Sequence, residues 1–179
     1  MLFRSLPKCI WLVFGLWALL GASCAKEPRE PLIPLDYASW EKTTDVVLDY
    51  PIPGHEDRYR VIYINGRGSG ASRQQGGTGR IDFPTGTIIA KEIYNVSKPG
   101  SGDKPVMVTA MVKAPDDPQA SAGWLWLVKD LSSGVENVYT GDFCVRCHAN
   151  ANEKHPYDSK NPEGLFSDYV FFVPGDAPD

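Results

Sequence analysis

The chain has 179 residues, the size of one domain with one core, and carries 18 basic against 22 acidic side chains, a formal charge of -4. That acid excess argues against a nucleic-acid partner. The four cysteines stand at positions 9, 24, 144 and 147, and their placement decides how many are available to one another.

Residues 1 to 9 contain Arg4 and Lys8 and no acid, and Ile10 to Ala22 form an apolar run of thirteen residues ending in small side chains. This is the layout of a secretory signal over residues 1–23, and it is too short to span a bilayer comfortably. Leu20-Gly21-Ala22-Ser23-Cys24 resembles a bacterial lipobox, in which Cys24 is acylated and becomes the first mature residue, although Gly21 stands where that pattern prefers Leu. Ordinary signal cleavage after Ala25 is the other reading. In both, Cys9 leaves with the signal and Cys24 is lipidated or removed, so only Cys144 and Cys147 remain and no structural disulfide is available. Losing Arg4 and Lys8 leaves 16 basic against 22 acidic groups, a charge of -6. The expected location is the periplasm, free or as a membrane-anchored lipoprotein.

From Lys26 to Pro34 the chain reads KEPREPLIP, three prolines in nine residues. We read residues 24–34 as an extended tether ahead of a single domain over residues 35–179. Past the tether the pattern is mostly β. Arg58 to Asn65 (RYRVIYIN) has the two-residue period of a strand with both faces partly covered, and 87–96, 105–113, 123–129 and 167–173 read the same way. Gly and Pro clusters such as KPGSGDKP at 98–105 separate them as turns. The fold class is α+β, mainly β: an antiparallel meander with a few short helices. Helix is expected in two places, around 37–42 and from Val138 toward Asn152. Gly66 to Ala71 (GRGSGA) fits G-x-G-x-x-A, a dinucleotide-binding fingerprint. The SRQQGGTG that follows reads as loop, and nucleotide cofactors are scarce outside the cytoplasm.

Cys144-Val145-Arg146-Cys147-His148 is C-x-x-C-H, the signature of covalent c-type haem attachment. The two thiols reach the two vinyl groups of one porphyrin, and the histidine after the second thiol falls under the iron as axial ligand. The competing readings are a redox dithiol, which wants a strand-helix setting early in a βαβ unit, half of a zinc site, which wants a second ligand pair at regular spacing, and a structural disulfide followed by a chance histidine. Neither the redox nor the zinc context is present. Small helical electron-carrier cytochromes place this motif near the mature N-terminus, whereas here it follows four or more strands, so the haem docks onto a sheet that precedes it.

The chain resembles the cytochrome P-460 and cytochrome c′-beta family through PLDYASW at 34–40, RYRVIYIN at 58–65, FPTGTIIAKE at 83–92, AMVK at 110–113, GWLWLV at 123–128, CVRCH at 144–148 and DYVFFVP at 168–174. These run in the family's order over nearly all of the mature chain. The resemblance implies a mainly antiparallel β fold, usually a homodimer, holding one five-coordinate haem c per chain. It also implies nitrogen-oxide chemistry at the open face of the iron, with hydroxylamine or nitric oxide as ligand and a redox-partner cytochrome.

Lys91 matches the lysine that bonds to a meso carbon of the porphyrin in hydroxylamine-oxidising members. Its alternation with Ile89 and Ile93 places the amine on an apolar strip, where desolvation lowers a lysine pKa and frees the lone pair a nucleophile needs. The plain alternative is a lysine that snorkels past two isoleucines to solvent. Arg60 matches an arginine on the strand approaching the haem pocket, where a guanidinium hydrogen-bonds a bound ligand or a propionate; an ordinary exposed arginine is the alternative. Thr109 falls where hydroxylamine-oxidising members carry a glutamate that takes protons from the substrate, and a hydroxyl has no useful basicity near neutral pH. That departure puts oxidase activity in doubt. Met107 and Met111 share a strand face with Thr109, where a Met stripe is more often packing than a sixth ligand. His155 lies too close to His148 to reach the opposite side of the ring, and His55 sits in a surface turn. Three functions follow as alternatives: a hydroxylamine-oxidising enzyme, a binder of nitric oxide or another small gas without turnover, and a plain electron carrier.

Overall fold

The computed structural model describes residues 29–44, 47–49, 58–75, 81–153 and 164–171. The chain divides into residues 1–30 and a unit from Pro31 to Asp179. The expected signal, Cys24, His55 and His155 lie outside the described residues, and among those residues no helix is long and apolar enough to cross a membrane.

Six strands form one sheet in chain order: β1 (Glu41–Lys42), β2 (Tyr59–Ile64), β3 (Ile88–Tyr94), β4 (Met107–Lys113), β5 (Trp124–Lys129) and β6 (Glu136–Tyr139). Every neighbouring pair is antiparallel, so the expected meander is present. A short 3-10 turn covers Tyr37–Ser39, where helix was expected to reach residue 42, and the chain then enters β1.

Side chains alternate between the faces of a strand and Cα partners share a face, so the register divides the sheet into two surfaces. On the first, Ile64, Ile89, Met111, Trp124 and Trp126 pack with Ile81, Phe83 and Val170. On the second, Ala90, Val108, Ala110, Val112, Leu125 and Leu127 pack with Ile33 from the incoming segment. Glu136 holds that segment in place, accepting the Leu32 and Ile33 amides at 2.6 and 3.0 Å, while Lys129 donates to the Ile33 carbonyl at 3.2 Å. With both faces covered, β5 is apolar nearly throughout.

The second face also buries an acidic side chain. Glu92, 6% exposed, accepts hydroxyl hydrogen bonds from Tyr37 at 2.8 Å, Tyr94 at 2.6 Å and Tyr63 at 3.2 Å. Burial first, and the carboxylate second, push the Tyr63 phenol up to about 12 and raise Tyr37 and Tyr94 as well.

Two expectations are corrected here. Gly66–Gln75 is a ten-residue helix, α1, and not a loop. Asn65 starts it: its Oδ1 accepts the Gly68 amide at 3.1 Å, as an N-cap side chain does, and its Nδ2 donates to the Gly86 carbonyl at 2.9 Å. Gly68 permits the close approach, since a Cβ there would stand 2.6 Å from Thr87 Cγ2 and 2.7 Å from Ile64 Cδ1. Of the strand expected over 167–173, residues 172–173 lie outside the described residues and 167–171 are not strand, with a turn at 168–169 and a bend at 171, because Asp168 and Tyr169 adopt φ of +52° and +68°, which no strand contains.

Candidate functional site

After β6 the chain turns into α2 (Phe143–His148) and a 3-10 turn over Ala149–Asn152, so the expected single helix from Val138 is a strand end followed by two short helical pieces. Six residues are too few for a helix to stand alone in water, and none of the α2 residues is fully buried. Cys144 and Val145 pack against the first-face core, whereas Cys147 is exposed. Both thiols are free, and their i, i+3 spacing puts them on one side of the helix. Burial pushes the Cys144 thiol up, against the opposing pull of Lys91.

His148 is fixed from three directions. Its ring meets Trp126 edge-on with centroids 4.8 Å apart and lies 5.6 Å from Phe171. Its Nδ1 is 2.9 Å from the Tyr169 carbonyl oxygen. A carbonyl only accepts, so the proton sits on Nδ1 and Nε2 is the ring nitrogen that carries a lone pair, the arrangement found in histidines that ligate metals.

The turn that supplies this carbonyl is strained and heavily anchored. Left-handed backbone costs an L-residue about 1–2 kcal/mol, and here two consecutive non-glycine residues adopt it. Asp168, 1% exposed, accepts from the Phe83 amide at 2.9 Å, from Trp124 Nε1 at 3.1 Å and from Lys113 Nζ at 2.7 and 2.5 Å on its two oxygens. Asn152 Oδ1 accepts the Ser167 and Tyr169 amides at 3.0 and 2.9 Å. The Ser167 hydroxyl reaches the Ala151 and Val170 carbonyls at 2.6 and 2.9 Å. None of these residues was singled out from the sequence, where SDYVFFV passes for an alternating strand.

The register brings Arg60, Lys91 and Thr109 to the same sheet face as Trp126. Lys91 is the Cα partner of Ile62 on β2 and of Thr109 on β4, Thr109 partners Val128, and Arg60 partners Ile93. Arg60 is 2% exposed, not the exposed arginine that was its alternative. Burial, and after it the positive charge of Arg60, push the Lys91 amine down from 10.5 to about 8, while Cys144 and Cys147 pull the other way. Lys91 is therefore within electrostatic reach of both the arginine and the haem-motif thiols, on the apolar strip of Ile89 and Ile93. Strands β2 to β6 present no acidic residue on this face. Met111 is buried in the core beside Trp124 and Trp126, and Met107 is 40% exposed at the strand end.

The donor set fits a haem. One histidine directed by a carbonyl, with two free thiols one helical turn apart beside it, is a donor set compatible with a haem that brings its own macrocycle nitrogens. Among the described residues no three His, Cys, Asp or Glu side chains gather as a metal cage. A search of curated proteins finds no match. A scan of family descriptions matches Cytochrome P460 over residues 34–172, which takes in every strand, both helices and the strained turn, and the chain is thus a member of the cytochrome P460 family of haem proteins.

Proposed function

We propose that the protein is an exported mono-haem c-type cytochrome with a five-coordinate iron for nitrogen-oxide chemistry, oxidising hydroxylamine, nitric oxide or both and passing electrons to a partner cytochrome. The observation that carries this reading is the His148 ring, aimed by the Tyr169 carbonyl and seated on Trp126 beside two free thiols. Cys144 and Cys147 hold the haem through thioethers, and His148 is its one protein ligand. Bound haem supplies an open iron face that takes a small nitrogenous ligand and exchanges single electrons. The chain's own residues do the rest. Trp126 and the Tyr169 carbonyl keep the imidazole from rotating. Arg60 places positive charge on the same sheet face as Lys91, and the buried Ile89 and Ile93 make the strip around Lys91 apolar.

Lys91 favours the oxidase. With its amine pushed down to about 8, about a tenth is unprotonated at pH 7, and Lys91 would be the residue able to supply a third covalent tether to the haem, in a two-electron oxidation needing an oxidant of the peroxide class. Thr109 favours the second reading, a gas binder without turnover: the residue beside Lys91 is a hydroxyl, and β2 to β6 bring no carboxylate to this face to accept a substrate proton. The homodimer, the periplasmic location and lipidation of Cys24 belong to the same proposal.

Intact-mass analysis after acid-acetone extraction should retain one haem, and the ferrous absorption spectrum divides the readings. A displaced, broadened Soret band that sharpens in Lys91→Ala supports the crosslinked oxidase. A sharp c-haem spectrum with high-spin ferric iron supports the gas binder, and a low-spin ferric spectrum supports the carrier. Loss of all haem on extraction would overturn covalent attachment.

A further inference from the structure

We propose that Asp168, clamped by Lys113, is a positioning residue for the iron ligand: it holds the 167–170 turn in its left-handed form so that the Tyr169 carbonyl meets His148 Nδ1. The inference rests on the reading of His148 as axial ligand and adds to it a device that sets the ligand's electronic character. Left-handed backbone at a tyrosine is an outlier that persists only where surroundings over-determine it. Here they do. One buried carboxylate ties three separate elements to the turn: the Phe83 amide ahead of β3, Lys113 at the end of β4 and Trp124 at the start of β5. Asn152, four residues past His148, fastens the next amide, and the Val170 amide closes the turn on the Ser167 carbonyl at 3.1 Å. Among the described residues, the turn atom this bracing brings into hydrogen-bond range of His148 is the Tyr169 carbonyl oxygen, 2.9 Å from Nδ1.

An Nδ1–H that donates to a well-placed carbonyl makes the imidazole a stronger base toward a metal and fixes its rotation. A stronger axial base favours the ferric state. Loosening the turn therefore weakens the iron–histidine bond and raises the reduction potential. Removing such an outer partner commonly costs about tenfold or more in metal affinity or activity. A tenfold shift in the reduced-to-oxidised ratio is about 59 mV for one electron.

Asp168→Asn is the informative variant, because asparagine tolerates left-handed backbone but turns an amide N–H toward Lys113. Asn152→Ala loosens the same turn from its other side and serves if Asp168→Asn does not fold. In holoprotein, either substitution should retain one haem, lower the iron–histidine stretching frequency of the ferrous form and raise the potential by about 59 mV. The double variant Lys113→Met/Asp168→Asn, which removes the clash of donors, should return part of the shift. Glu92→Gln, which perturbs the opposite face of the sheet, should lower stability without moving either signal. Folded, haem-loaded Asp168→Asn and Asn152→Ala with wild-type frequency and potential would overturn the positioning role while leaving the haem reading intact. A wild type that holds no haem would remove the haem reading and this inference with it.

Discussion

The Lys91 amine is the group whose behaviour most directly tests the architecture of the site. A drop from 10.5 to about 8 raises the free-amine fraction at neutral pH by about 300-fold. The unfolded chain has no such burial, so between pH 8 and 10.5 it binds more protons at Lys91 than the folded chain does. Stability consequently rises with pH across that window, and below about pH 8 the half-buried ammonium costs the folded state on the order of 3 kcal/mol. Two substitutions move the midpoint in opposite directions. Arg60→Met removes a charge that disfavours the ammonium, so the midpoint rises, yet it stays under 10.5 because burial is the larger cause. Cys144→Ser/Cys147→Ser removes the two groups that favour the ammonium, so it falls. The assay is competitive acylation of haem-free protein with limiting anhydride from pH 6 to 11, read lysine by lysine in tryptic peptides, with the exposed Lys98 and Lys104 as internal references. A Lys91 midpoint at 10 or above, or one indifferent to Arg60→Met, would refute the reasoning.

Glu92→Leu strips the acceptor from three phenols, two of them buried, and should lower stability by about 3–5 kcal/mol in urea titration with an unchanged m-value. The same cluster predicts alkaline sensitivity: Tyr63 keeps its proton to a higher pH when folded, so the stability it contributes is present below pH 10 and lost as pH rises through about 12, which a stability series at rising pH reads directly. Gly68→Ala drives a methyl into Thr87 and Ile64 and should cost about 1–3 kcal/mol by thermal unfolding. Thr109→Glu supplies a base beside Lys91 and should raise hydroxylamine turnover about 10²-fold or more if proton removal limits the wild type; unchanged turnover would place the limit elsewhere.

What the sequence disclosed depended on whether a residue's role followed from its neighbours along the chain. Four of the five expected strands stand where the two-residue period placed them, and the β3 alternation correctly put Lys91 between two buried isoleucines. The spacing of the motif at 144–148 pointed to a haem protein, and the family match agrees with that. The errors came where a single side chain outvoted the local pattern. Asn65 caps a glycine-rich run of poor helix propensity, and packing on Ile64 and Thr87 completes the helix. Asp168 bends an apolar, strand-like segment into a left-handed turn by hydrogen bonds to residues 44, 55 and 85 positions away. No periodicity over a short window reports partners at that distance. The grouping of Arg60, Lys91 and Thr109 was open for the same reason, since it requires the register of three strands.

The late position of the haem motif has a physical basis in these contacts. A six-residue helix with no fully buried residue has little reason to persist alone. What it has is a side of Cys144 and Val145 laid on the core and one histidine held by Trp126 and by the Tyr169 carbonyl. Both anchors exist only after β3, β4 and β5 have paired, because Trp126 is a central-strand residue and the turn bearing Tyr169 is fastened through Phe83, Lys113 and Trp124. The second face of the sheet is closed independently by Ile33, Glu136 and the Glu92 tyrosines, so the scaffold does not draw on the first face for those contacts. A sheet sealed on one side and braced by a salt-linked turn can hold a histidine still. The short helix then needs only to bring two thiols alongside.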